Sequence, residues 1–319
     1  MRILRNPNFN FIRWRWHAIV LSVVVIAAGV ATAISRGGLP LGVDFSGGTV
    51  VVVQFAQASS EDAIRQALGP MSNAATVQRY GAVQDRSFLI RLPLTEGTEG
   101  AEMASNLDQV AQQVEGTIRA ANIGEFQVIL KEFVGPTIGA DLQRRGIWAT
   151  LTAIGGILVY IGIRFRFAFA IGAVVATFHD ILVVLAFLMW FGYDLTLNVV
   201  AAILTIAGYS VNDTIVVFDR VRENQRLARR EPLDQLVNRA VNQTLARTVI
   251  TAGTTFLAVT SLFVLGGEVL RGFAFSMLVG IAAGTYSTVF IAAAIAIVLS
   301  KRQPVAQGAR AGADARRRA

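Results

Sequence analysis

The sequence predicts an α-helical membrane protein of six spans that carries one external ferredoxin-like α/β domain (βαββαβ). Three observations predict it. Six apolar stretches, at 16–35, 147–163, 167–191, 195–218, 248–265 and 273–300, approach or exceed the roughly 18 residues that cross a bilayer as a helix. Of the 319 residues, 54% are hydrophobic and only 16% charged, whereas soluble domains carry about 25% charge. Between the first and second spans, helix and strand signals alternate.

The first element, 1–15, is a basic lead-in with Arg2, Arg5, Arg13 and Arg15. The span at 16–35 follows. Ala31-Thr32-Ala33 near its end resembles a signal-peptide cleavage site. The length of the apolar run, and Trp14 and Trp16 at an interfacial position, favour a retained helix.

The segment 36–145 reads as the α/β domain. It opens on GVDFSGG at 42–48, whose Gly42, Gly47 and Gly48 permit backbone conformations that other residues resist. A phosphate loop is excluded, because the motif has no Lys and lies outside the cell. A turn into the first strand, with Asp44 as its cap, is the expected structure. TVVVVQF at 49–55 is a β-branched strand run. Ser59 with Asp62 predicts a helix start, Ile64, Ala67, Leu68 and Met71 keep helical spacing, and Gly69-Pro70 ends it. ATVQRY and SFLIRL are short strands, the second with Phe88, Ile90 and Leu92 alternating. After a polar loop TEGTEGAE, Met103, Leu107, Val110, Val114 and Ile118 form one helical stripe, stopped at Asn122 and Gly124. QVILKEF is the last strand. The order βαββαβ is the split βαβ arrangement. Its acids are scattered and it has no His, so it reads as a binding domain without catalysis.

Spans two to six occupy 146–300, with a cytoplasmic amphipathic loop at 220–247. In that loop Leu233, Leu236, Val237, Ala240, Val241 and Leu245 form a stripe that predicts a helix lying in the membrane interface. Its expected role is to bind anionic headgroups or to dock a partner. The tail at 301–319, rich in Arg and Ala, is expected to be disordered.

The net charge of +8 suggests nucleic acid until its distribution is read. Basic residues cluster before the first span, between the second and third (Arg164, Arg166), between the fourth and fifth (Arg220, Arg222, Arg226, Arg229, Arg230, Arg239), and after the sixth (Lys301, Arg302, Arg316, Arg317, Arg318). The positive-inside rule puts all four in the cytoplasm, with both termini inside and 36–145 outside. Membrane lipids, not nucleic acid, are the implied partner. The chain has no Cys and only two His, His17 and His179, so neither a disulfide framework nor a thiolate or His-rich metal centre is expected.

Two carboxylates lie inside spans: Asp180 in ATFHDILVVLAF and Asp213 in GYSVNDTIVVFDR. An ionised Asp at the bilayer centre costs about 2.5–3.5 kcal/mol on insertion scales, so such residues face a bundle interior and mark ion pathways. Arg247 heads the fifth span and is expected within reach of Asp213. The pair reads as a proton relay, or else as a static ion pair locking two helices. Asp180 is a second relay candidate or a structural hydrogen-bonding group. His179 and Asp180, as helix neighbours, are not expected to face each other. Asp219 is expected in an interfacial ion pair beside Arg220 and Arg222. Ser276, Gly280, Gly284 and Thr288 recur every four residues, a small-xxx-small packing stripe or the seam with another subunit.

GVDFSGG at 42–48, EFVGP at 132–136, GYSVNDTIVVFDRVREN at 208–224, RTVITAGTT at 247–255 and LRGFAFSMLVGIAAGTYST at 270–288, taken in order, resemble the SecF family of bacterial protein-export membrane subunits. The resemblance covers nearly the whole chain. It implies a second six-span subunit, SecD, in a pseudo-symmetric assembly of the resistance-nodulation-division type. It further implies association with the SecYEG channel and SecA. The expected function is non-enzymatic and needs no cofactor: use of the proton-motive force to promote late steps in export of unfolded preproteins across the inner membrane. By motif position it makes Asp213 and Arg247 part of the proton path. The glycines of GVDFSGG and the Val134-Gly135-Pro136 turn are expected to be hinges for the external domain. The alternatives are half of a small-molecule or lipid exporter of the same superfamily, and a passive translocon scaffold.

Overall fold

The computed structural model describes residues 7–73, 75–80, 86–92, 102–228 and 231–301. The polar loop from 95, Arg2, Arg5, Arg229, Arg230, the side chains of Met103 and Leu107, and the tail from 302 lie outside the described residues. The chain divides into two compact units. One holds 1–38, 151–193 and 201–319; the other holds 39–150 and 194–200.

The first unit is helical. After a 3-10 turn at Ile12–Trp14 come α1 (Arg15–Ser35), the second half of α5 (Pro136–Arg164), α6 (Phe167–Phe191), most of α7 (Leu197–Leu227), α8 (Leu233–Leu265), α9 (Gly267–Ser287) and α10 (Ala293–Lys301). A π turn, Thr288–Ala292, joins α9 to α10 within one span. Six helical stretches are long and apolar enough to cross a membrane, as the hydropathy predicts.

Their core is built from small side chains. Ala173, Ala176, Ala240, Ala292, Ala293 and Ala296 are buried with Phe169, Phe218, Val237 and Ile297. Small residues let backbones approach closely where lipid supplies no hydrophobic drive. A Cβ on Gly172 would stand 2.6 Å from the Ala292 carbonyl oxygen, and one on Gly29 2.4 Å from the Ala186 Cβ. The predicted stripe on span six packs within the chain, against α7, and not at a seam with another subunit. Gly280 lies against Ile206, and Gly284 against Ser210. Thr288 Oγ1 is 2.9 Å from Thr214 Oγ1, and Ser276 Oγ donates to the Gly272 carbonyl of its own helix.

Two predicted boundaries change. α5 starts at Pro136, eleven residues before the predicted apolar stretch at 147–163. Asp141, Gln143, Arg144 and Arg145 make those first turns too polar for hydropathy to find. The predicted interfacial helix at 220–247 does not exist as a separate element: α7 runs to Leu227, and α8 continues unbroken from Leu233 into span five. Leu236, Val237, Ala240 and Val241 are buried by protein, so that part of the stripe faces the core and not headgroups. The same end of α8 holds the N-terminal segment: Asn242 Oδ1 accepts from the Phe9 amide at 2.8 Å, and Asn238 Oδ1 from Phe11 at 3.0 Å.

The second unit contains the sheet. Its elements are α2 (Val43–Ser46), β1 (Gly48–Phe55), α3 (Glu61–Leu68), β2 (Thr76–Tyr80), β3 (Ser87–Leu92), α4 (Glu102–Ala120) and β4 (Phe126–Val134). The strand order is β2-β3-β1-β4, antiparallel throughout, with Val51 opposite Ile90 on one side and Lys131 on the other. This is the split βαβ topology predicted. β1 is buried on both faces, which explains its unbroken Val50–Val53 run. Val51, Val53 and Phe55 pack with Ile64, Leu68, Val114 and Ile118. Val50 and Val52 pack with Val43 and Leu89 on the other face. The cap of α3 is Ser60, not the predicted Ser59; its side chain accepts from the Ala63 amide at 3.2 Å.

Candidate functional site

α6 carries Asp180 at the middle of its length because Ala173, Ala176 and Gly172 let the helix sink into the bundle. Half of its most apolar window is buried. Asp180 has no exposed surface. Its Oδ2 accepts from Ser210 Oγ of α7 at 2.5 Å and from Ser287 Oγ of α9 at 2.9 Å. Its Oδ1 lies 3.0 Å from His179 Nδ1. The other imidazole nitrogen is 2.9 Å from Ser22 Oγ of α1. Ser22 donates to the Tyr286 hydroxyl at 3.3 Å, and Tyr286 donates to the Ala18 carbonyl at 2.6 Å.

This chain of polar groups corrects the expectation that His179 and Asp180 do not meet. That expectation suits a helix with one inward face. α6 packs against α1, α9 and α10, so side chains 100° apart both point into protein and converge. Ser22, Tyr286 and Ser287 were not singled out by the sequence. Single hydroxyls in apolar runs were the available signal.

Asp213 is also buried, at 4% exposure. It sits one turn from Ser210 on α7, beside Thr214. In contrast to Asp180, its Oδ2 has no hydrogen-bond partner among the described residues. Arg247 lies on the exposed side of α8. Among the described residues no hydrogen bond or ion pair joins the two, but Arg247 stands near enough for its charge to act on Asp213 across the gap, so the pair is open and not closed in this chain. Asn212 is exposed. Asp219 forms its ion pair with Arg164 of α5 at 3.0 Å, not with the neighbouring Arg220 or Arg222.

The GVDFSGG segment is a built junction within the second unit. Val43–Ser46 forms one helical turn, ended by Gly47 at φ 69° with Gly48 at φ 125°. Both glycines hold conformations that side chains resist. Asp44 does not cap its own turn: its Oδ2 accepts from the Leu197 amide at 2.8 Å, at the start of α7. The Gly42 amide donates to the Leu195 carbonyl at 2.8 Å. Gly139 packs on the backbone of Phe45 and Gly47. Gly135 and Pro136 stand at the β4–α5 junction, where the Gly135 carbonyl accepts from the Gly139 amide at 2.8 Å. Beside this junction Arg91 pairs with Asp194. Burial pushes the Asp194 carboxyl above the usual carboxylate range, and the Arg91 charge and hydrogen bond offset this only in part. Glu132 is also raised, first by burial and then by the negative charge of Asp44.

A family model described as protein export membrane protein SecD/SecF, C-terminal, matches residues 113–302, and one described as the SecD/SecF GG motif matches residues 33–59. The protein translocase subunit SecF of Rhodothermus marinus is 42% identical over 311 residues, covering 95% of this chain and 96% of that one. The subunit of the same name from Vibrio alginolyticus is 40% identical over 296 residues, covering 92% and 90%. Among solved structures, SecDF, a translocon-associated membrane protein from Thermus thermophilus, superposes with a TM-score of 0.80 at 33% identity, over 93% of this chain and 39% of that one. SecDF in a super-membrane-facing form gives 0.65 at 32% identity, over 98% and 41%. The chain thus spans about two fifths of the SecDF chains it matches.

Proposed function

The chain belongs to the SecD/SecF family of protein export membrane proteins, and we propose that it is the SecF-type subunit that couples the proton-motive force to late steps of preprotein export. One observation carries the coupling: a carboxylate, Asp213, buried in a membrane span with one oxygen unpartnered. An ionised Asp in a span costs about 2.5–3.5 kcal/mol on insertion scales, which a purely structural role without a direct partner does not repay. A proton carrier needs such a group, free to change its protonation.

In this reading Arg247, exposed on this chain, completes the site once a second six-span subunit of the SecD type covers it. Asp180, already saturated with hydrogen bonds, is the lesser relay candidate and serves first to hold α1, α6, α7 and α9 together. The SecYEG channel and SecA are the further partners. The protein sits in the bacterial inner membrane with both termini cytoplasmic. The sheet unit is external, where it holds an emerging unfolded chain and moves with the protonation cycle. The junction around Gly47, Gly48, Gly135 and Pro136 is the hinge. One charge crossing the membrane supplies roughly 2.3 kcal/mol per 100 mV, enough for a few protons to bias a two-state element.

The test is Asp213→Asn in membrane vesicles that import a preprotein. The variant is expected to assemble normally and lose all stimulation by the gradient. Full stimulation would remove the relay role. Wild-type stimulation that survives an ionophore would instead favour a passive scaffold.

A further inference from the structure

A second site stands at the end of the helical unit where the arginines cluster. A pocket of about 910 Å³ is enclosed by the α5–α6 turn, the last turns of α7 and the first turns of α8. Volumes of 300–1,000 Å³ are typical of small-molecule sites. Its floor is apolar: Phe169 and Phe218 stack edge to face at 4.9 Å between centroids, with Phe165 and Leu236 beside them. Its rim carries Arg164, Arg166, Arg222 and Arg226.

The four cations are not equivalent. Arg164 is neutralised by Asp219 at 3.0 Å. Among the described lining residues the one acid, Glu231, is taken by Arg239. Among the described residues no carboxylate pairs with Arg166, Arg222 or Arg226. Arg222 and Arg226 are one turn apart on α7, so they project together. α6 begins directly after Arg166 without a side-chain cap, and α8 begins after Pro232 in the same way. Their first-turn amides add partial positive charge to the same corner.

We propose that this pocket binds the headgroup phosphate of an anionic phospholipid, with Arg166, Arg222 and Arg226 on the phosphate and acyl chain against the phenylalanine floor. Guanidinium groups match phosphate oxygens in bidentate geometry. A free phosphate would gain nothing from the apolar floor, and a lipid in the adjoining leaflet gains from both parts. The site is on the side that the charge pattern assigns to the cytoplasm, where anionic lipids attract juxtamembrane arginines. It is separate from Asp213 and does not depend on proton coupling.

Native mass spectrometry of the full chain released from detergent tests this. The wild type is expected to retain phosphatidylglycerol at about tenfold lower concentration than phosphatidylcholine. Arg166→Gln, Arg222→Gln and Arg226→Gln together are expected to abolish that preference. The same three changed to Lys, which keep charge but lose the fork, are expected to lose part of it, and decide the matter if the Gln variant does not fold. Arg13→Gln, Arg144→Gln and Arg145→Gln, an equal loss of charge elsewhere, are expected to leave it intact. Three results would overturn the proposal: preference retained in the Gln variant, or in full in the Lys variant where that one decides; equal loss in the control; or complete displacement of lipid by millimolar inorganic phosphate, which marks a soluble-anion site.

Discussion

Asp180 and Asp213 look alike in the sequence, each an acid stranded in an apolar run, and the structure separates them. Asp180 spends both oxygens on Ser210, Ser287 and His179. Asp213 keeps one oxygen unpartnered. Asp180→Ala would leave two hydroxyls and an imidazole without their acceptor. Interhelical hydrogen bonds in membranes average about 0.6 kcal/mol and reach about 1.7, so the expected loss is on the order of 2 kcal/mol in reversible unfolding in detergent. Asp213→Asn, which loses no hydrogen bond to that oxygen and removes the cost of a charge in the span, is expected to be at least as stable as the wild type. Equal stabilities of Asp180→Ala and wild type would show that the network does not hold the bundle. The sequence marked both acids because apolar context exposes them. It could not assign their partners: hydroxyl groups such as Ser22 and Ser287 satisfy themselves on helix backbones as readily as on a neighbour, and only the packing chooses. The expected closeness of Arg247 to Asp213 came from motif order; its charge does reach Asp213, but motif order carries no direction around the helix axis and so could not say that the two make no direct contact.

At the scale of elements, the sheet unit was legible almost throughout, because its topology follows from strand and helix order and from the both-faces-buried Val run of β1. The first turns of α8 were misread for a physical reason. A stripe of Leu, Val and Ala looks the same whether lipid or protein covers it. The two cases differ in a measurable way. Val237, with no exposed surface, should not tolerate Asn; an unsatisfied buried amide costs about 1–3 kcal/mol beyond the lost packing. An interfacial helix would accept the change with little effect on the melting temperature. The junction between α2 and β4 offers a pH test. Glu132 is raised above its ordinary value of 4.5 by burial and then by Asp44. Its protonated form is therefore favoured by the fold. The stability it contributes is complete below about 4.5 and is lost as pH rises through the raised value. Glu132→Gln is expected to melt higher than the wild type at pH 8, with the difference shrinking as pH falls toward 5. A constant difference across that range would mean that Glu132 does not titrate against Asp44.

For the whole molecule, orientation decides what the buried acids can do, because a proton driven inward must reach Asp213 from the outer face of the membrane. The charge of +8 is informative only through its distribution. The arginines of the N-terminal segment, of the α5–α6 turn and of the α7–α8 connection fall on alternate connections of a six-span chain. An even number of spans returns both termini to one face, and the positive-inside rule names that face cytoplasmic. The structure adds a reason to place the first apolar run among the retained spans: α1 supplies Ser22 to the His179 nitrogen and the Ala18 carbonyl to Tyr286. A protein without α1 would leave both groups unpaired. The natural absence of Cys makes the orientation directly measurable with single cysteines at two exposed positions, Asn8 before α1 and Gln113 on α4. A membrane-impermeant maleimide is expected to label Gln113→Cys in intact spheroplasts and Asn8→Cys only after permeabilisation. The reverse pattern would place the sheet unit in the cytoplasm. It would then invert the direction in which Asp213 could pass a proton, and the coupling proposed here would fail with it.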